Sequence, residues 1–145
     1  MSNKLVKPQQ QNNVIVVDDG SKVYDIVNKR GKKLGEFEFR PSDTNIVKRY
    51  EEVVDFFNNF SLPEDSEKAM QEAESQMVEK MSYLIGGDAG DAFFSIMGPF
   101  SALASGELFV ENVLASIAKV IENELSIRTK RVQRRMNKYA AKYHK

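Results

Sequence analysis

The sequence predicts an α+β fold, mostly helical: an N-terminal three-stranded antiparallel β-meander followed by a four-helix region with a long basic C-terminal helix. Three observations carry that prediction. Over residues 34–40, Phe37 and Phe39 alternate with Glu36, Glu38 and Arg40, the period of a strand with one wet face. From Ile46 onward, apolar residues recur every three or four positions, the period of an amphipathic helix. After Gly106, neither Gly nor Pro interrupts the chain again.

Residues 1–13 contain a QQQNN run, Pro8 and only two aliphatic side chains beyond Met1, Leu5 and Val6. Too little apolar surface is available there to offset ordering entropy, so the segment reads as a flexible N-terminus. A single α+β domain is expected over residues 14–125, with the meander at 14–40 and helices from 43, and a basic helical extension at 126–145. The first strand is the β-branched run at residues 14–17, closed by Asp18-Asp19-Gly20, a turn signal in which Gly accepts positive φ and Asp bonds nearby backbone. Val23, Tyr24, Ile26 and Val27 form the second strand. The cluster around Gly31 turns the chain into the third, at residues 34–40.

Pro41 stops the strand, and Ser42 or Asp43 can cap a first helix whose apolar positions are Ile46, Val47, Tyr50, Val53, Val54 and Phe57, ending near Asn58-Asn59. A Pro-containing link at residues 61–65 leads to a second helix, marked by Met70, Ala73, Met77, Met81, Leu84 and Ile85 and ended by Gly86-Gly87. Asp88 and Asp91 open a short apolar helix holding Ala92, Phe93, Phe94, Ile96 and Met97, which Gly98-Pro99 terminates. From Glu107, the stripe Leu108, Val110, Val113, Leu114, Ile117, Ile121 and Leu125 marks a fourth helix. Val132, Met136, Tyr139 and Tyr143 extend that stripe toward the C-terminus.

Charge is distributed unevenly along a chain whose formal net charge is zero. Residues 1–125 hold all 21 acidic residues and 13 of the 21 basic ones, a net of −8, whereas residues 126–145 hold eight basic residues and no acid. An acidic body with a basic tail points to partners rather than to fold. Arg128, Arg131, Arg135, Lys138 and Lys142 are spaced by three or four residues and share a helical face, with Lys130 and Arg134 flanking it. Such a stripe neutralises several phosphates, and Tyr139 and Tyr143 offer stacking surfaces, so a nucleic acid is one candidate partner. The plainer reading is a basic helix end that complements its own dipole and docks on an acidic protein surface.

Catalytic chemistry finds little support. The chain lacks cysteine, which removes disulfides, thiolate metal sites and cysteine nucleophiles, and its one histidine, His144, is next to last. Glu51, Glu52 and Asp55 lie between apolar positions of an amphipathic helix and read as a solvated face. Residues 86–91 (GGDAGD) lack the Lys-Ser/Thr of a phosphate loop and read as a helix-helix turn. The expectation is therefore a protein that is not an enzyme and needs no cofactor or metal. No apolar run reaches the ~18–20 residues of a membrane span. The N-terminus lacks the apolar core of a signal peptide. The apolar signal left over is the concentration of Met and Phe between residues 70 and 109. Within it, Phe93, Phe94, Met97, Phe100, Leu103 and Phe109 are the expected partner-binding surface, against the plainer alternative that each belongs to the core.

The order of these features, with residues 37–50 reading FEFRPSDTNIVKRY and residues 92–117 reading AFFSIMGPFSALASGELFVENVLASI, resembles the tail assembly chaperones of long-tailed phages and prophages of Gram-positive bacteria. The likeness covers roughly residues 14–140. It implies a non-enzymatic protein of the host cytoplasm that binds and solubilises the tape measure protein and recruits tail tube subunits during tail morphogenesis. Opposite charges at the two ends of the chain also allow self-association into an oligomer or spiral. Two other functions fit the residues: a nucleic-acid-binding accessory protein acting through Arg128, Arg131, Arg134, Arg135, Lys138 and Lys142, and a structural tail or head-completion component.

Overall fold

A computed structural model of the chain describes residues 13–64 and 66–143, with the side chains of 128, 129, 131–133 and 135–143 left aside. Among the described residues the fold is α+β: a two-stranded antiparallel sheet and four helices, the helices accounting for about half of the chain. β1 (Lys22–Val27) and β2 (Lys33–Phe39) form a hairpin in which Tyr24 faces Phe37 and Lys22 faces Phe39, with a bulge between Ile26 and Val27. The connecting turn is built by Asn28, whose Oδ1 accepts from the backbone N–H of Arg30 and of Lys32. Gly31 supplies the positive φ, 81°, that closes it.

The expected third strand is absent among the described residues. Residues 14–17 form no ladder, and Ile15, Val16 and Val17 are exposed. The reason lies in the next three residues. Asp18 and Asp19 do bond the backbone two residues on, Asp18 to Gly20 and Asp19 to Ser21. The Asp19 carboxylate is also gripped by Arg40, through Nε at 2.9 Å and Nη2 at 2.6 Å. Gly20 packs so closely on Ser42 that a Cβ there would sit 3.0 Å from its Oγ. The chain thus runs past the end of the hairpin alongside Arg40 and Ser42, and does not turn back along β1.

α1 (Ile46–Asn58), α2 (Glu67–Ile85), α3 (Ala89–Phe94) and α4 (Phe109–Tyr143) follow. Asp43 works one turn ahead of α1, where it accepts from the N–H of Asn45 at 2.9 Å and pairs with Arg49 at 3.1 Å. Ser66 caps α2 through a bond from the Ala69 N–H. Gly86 and Gly87, at φ 112° and 58°, end the helix as their sequence suggests. α3 stops at Phe94, three residues short of Met97, and its start is held by the Ser82 hydroxyl, which accepts from the Gly90 N–H, with no bond from the Asp88 side chain.

The core joins all of these elements. Phe39 of the hairpin packs with Ile46 and Val53 of α1, Met77, Met81, Leu84 and Ile85 of α2, Ala89 and Phe93 of α3, and Val110, Val113, Ile117 and Ile121 of α4. No polar or charged residue is buried among the described ones. Across the surface, the Tyr83 hydroxyl donates to Glu52, tying α2 to α1, and the Lys80 ammonium lies 5.0 Å from the centroid of Phe56. Lys22 and Glu124 form an ion pair at 2.7 Å that joins the start of β1 to α4. On α4, Leu125 is the last described residue packed on the core, and the helix runs on to Tyr143. At 1.5 Å per residue, its 35 residues give a rod of about 50 Å.

Candidate functional site

A groove of about 630 Å³ is walled by the hairpin on one side, α4 on the other, and by α3 with the segment after it at one end. Each wall follows from local sequence. The period-two pattern of the hairpin turns Tyr24, Ile26 and Phe37 inward, and the Tyr24 and Phe37 rings stack with centroids 5.6 Å apart. α3 lies directly on β2, close enough that a Cβ on Gly35 would be 3.7 Å from the carbonyl of Ala92. That approach brings the Phe93 ring to 5.0 Å from Phe37 and makes it the groove floor. Val113, Ile117 and Val120 line the α4 wall at helical spacing.

Residues 98–108 are folded rather than trailing. Val110 N–H donates to the Pro99 carbonyl and Phe109 N–H to that of Ser101, each within 2.9 Å. A further bond runs from Leu103 N–H to the Glu107 carbonyl, and Ala102 bridges Leu108. This tight return places Leu103 and Phe109 at the groove beside Met97.

Of the six apolar residues expected to meet a partner, the structure gathers four, Phe93, Met97, Leu103 and Phe109, in one groove. Phe93 is buried, and the other three are half-buried. Phe94 turns to the opposite side, edge-on to Phe109 and into a shallow depression formed with Gln71, Glu74 and Val78 of α2. Phe100 stacks on Phe60, 5.8 Å away, and belongs to the packing between α1 and the segment after α3. Sequence reasoning missed the hairpin and α4 walls, including Ile26, Leu34 and Val120. Their alternation and helical spacing are the same whether the residues face a core or an open groove.

The groove mouth is polar, with Asp25, Lys29, Glu107 and Asn112 around apolar walls. Elsewhere, the bonds from Ser21 and then the Arg40 guanidinium hold the Asp19 carboxyl well below the usual carboxylate range. Asp43 is lowered by the bond from the Asn45 backbone and by Arg49. Hydrogen bonding to Glu52 pushes the Tyr83 hydroxyl up. None of these groups lines the groove.

Arg134 and Lys130 are exposed on α4. The side chains of Arg128, Arg131, Arg135, Lys138 and Lys142 lie outside the described residues. Among the described residues, no three His, Cys, Asp or Glu side chains converge as metal ligands do, and no helix is long and apolar enough to cross a membrane. Comparison of the chain with protein-family models, with curated proteins and with solved structures gives no match.

Proposed function

We propose that this chain is a phage tail assembly chaperone that seats an apolar helix face of the tape measure protein in the groove between the hairpin and α4. In this reading it keeps that partner soluble in the host cytoplasm, recruits tail tube subunits, and performs no reaction. The groove is the observation that carries the helix-binding part. Its volume suits the few side chains that one face of an amphipathic helix inserts at i, i+3, i+4 and i+7. Its walls are aromatic and aliphatic, with Met97 as an adaptable element, and its polar mouth suits the flanks of such a helix. The likeness of residues 37–50 and 92–117 to tail assembly chaperones supplies the tail-assembly part. A long chain of amphipathic helices aggregates unless its apolar stripes are covered.

Co-expression is the test. The wild-type chain is expected to raise the soluble yield of the tape measure protein, and Met97→Asp with Leu103→Asp is expected to abolish that gain while leaving the circular dichroism spectrum unchanged. Absence of rescue by the wild-type chain counts against the proposal.

A second reading, nucleic-acid binding, draws on one observation: α4 continues beyond Leu125 with Lys130 and Arg134 exposed. A gel shift of DNA or RNA that weakens steeply with salt and disappears when Arg131, Arg134 and Arg135 become Glu would support it. A third reading, a structural component that stays in the particle, is separated from a chaperone by mass spectrometry of purified virions.

A further inference from the structure

Asp19 and Gly20 form the chain's one Asp-Gly step, and no Asn-Gly step occurs. A glycine after an aspartate has no Cβ to shield its nitrogen from the carboxyl group before it, so such a step can close on itself. The Gly20 nitrogen attacks Asp19 Cγ, the C–OH bond breaks, and the hydroxyl leaves with the amide proton as water, forming a five-membered succinimide. Solvent water then opens either carbonyl of that ring. One opening restores aspartate. The other gives isoaspartate, in which the main chain runs through the side-chain carbons and is one carbon longer between residues 19 and 20.

The fold opposes the first step at each group it needs. Asp19 Oδ1 accepts from the Ser21 N–H at 3.0 Å, and Oδ2 accepts from Arg40 Nε at 2.9 Å and Nη2 at 2.6 Å. Both oxygens are engaged, so Cγ must break these bonds to swing toward Gly20. The Gly20 N–H is itself bonded to Asp18 Oδ1 at 2.9 Å, and Gly20 sits at φ 71° close against Ser42. A carboxylate is also a far poorer target for the attack than the neutral acid, and the bonds from Ser21 and then Arg40 favour the charged form. We infer that Asp19–Gly20 is an isomerisation site held in check by Arg40, and that its conversion to isoaspartate releases residues 14–17 from the end of the hairpin.

Arg40 is the part of this restraint that local sequence cannot supply. The bonds among Asp18, Asp19, Gly20 and Ser21 span two residues each, whereas Arg40 reaches Asp19 across 21 residues and so only in the folded chain. Lengthening the main chain at residue 19 carries its carboxylate off the guanidinium fork, a pairing that tolerates little displacement. The tie between the segment before Gly20 and the end of β2 goes with it. The inference does not rest on the tail-assembly reading, and none of these residues lines the groove.

Ageing at neutral pH and physiological temperature tests it, with isoaspartate read by tryptic peptide mapping, because the two isomers share a mass but separate by chromatography. A synthetic peptide of residues 14–22 sets the unrestrained rate. The wild-type chain is expected to convert about tenfold or more slowly than the peptide. Arg40→Gln is expected to convert about threefold faster than the wild type, the effect of losing an exposed ion pair, and Arg40→Lys to fall between them. Arg40 is exposed, so both variants should keep the wild-type circular dichroism spectrum. Elastase, which cuts after small aliphatic residues, should cleave within residues 14–17 faster in the isoaspartate fraction than in the unaged chain. Wild-type conversion at the peptide's rate overturns the inference. So does an Arg40→Gln chain that converts no faster than the wild type, a peptide that forms no isoaspartate, or elastase cleavage that is the same in both fractions.

Discussion

Phe37 of β2 and Phe93 of α3 meet with ring centroids 5.0 Å apart and planes inclined at 50°. This pair fastens the hairpin to the helices and forms the base of the groove, so one contact serves both the fold and the candidate site. A tilted aromatic pair adds about 0.5–1.5 kcal/mol to the burial of its area.

Phe93→Ala is expected to lower stability by about 3–5 kcal/mol, because the removed ring is buried and its neighbours on three elements cannot all close the void. Urea unfolding followed by circular dichroism measures it. A loss below about 1 kcal/mol would show that α3 is not a fixed part of the core.

Gly90→Ala is expected to destabilise as well, although Ala is the better helix former by about 1 kcal/mol. A Cβ at this position would lie 2.2 Å from the Val78 carbonyl oxygen and 2.6 Å from Ser82 Oγ. Backbone cannot yield as a side-chain tip does, so α2 and α3 must move apart, at about 1–3 kcal/mol. A raised melting temperature for this variant would contradict the close crossing of the two helices.

Ser66→Ala removes the bond that Ser66 Oγ accepts from Ala69 at the start of α2. The expected loss is about 1 kcal/mol, and Ser66→Asp should recover most of it. Thermal melts of the three proteins at neutral pH make the comparison.

Stability should also fall at both ends of the pH scale, for separable reasons. Asp43 titrates below its ordinary value because its charged form is bonded by Asn45 and Arg49. Its contribution is complete above the unfolded carboxyl value, about 4, and is lost as pH falls through the lower folded value. Tyr83 titrates above its ordinary value because its protonated form donates to Glu52. Its contribution is complete below about 10 and is lost as pH rises through the higher folded value. Melting temperatures across pH should therefore decline less steeply below pH ~4 in Asp43→Asn, and less steeply above pH ~10 in Tyr83→Phe.

The helices were legible because their signals are local. Met77, Met81, Leu84 and Ile85 share one face by spacing alone, and Gly86-Gly87 announces its own left-handed backbone. The strand expected at residues 14–17 shows the limit. β-branched residues state a preference for pairing but not a partner, and the decisive contact, Asp19 with Arg40, spans 21 residues. At the groove, Phe93, Met97, Leu103 and Phe109 were found by their type, whereas Phe94 and Phe100 have the same type and face elsewhere. Which way a ring points depended on the folded return at residues 98–108, whose bonds are made by backbone and leave no compositional trace.

An interior in which, among the described residues, no polar or charged side chain is buried has a thermal consequence. The cohesion of its buried side chains comes from water's rejection of apolar surface, a force that fades on cooling. Stability should therefore pass through a maximum, typically at about 10–20 °C, and decline on further cooling as well as on heating.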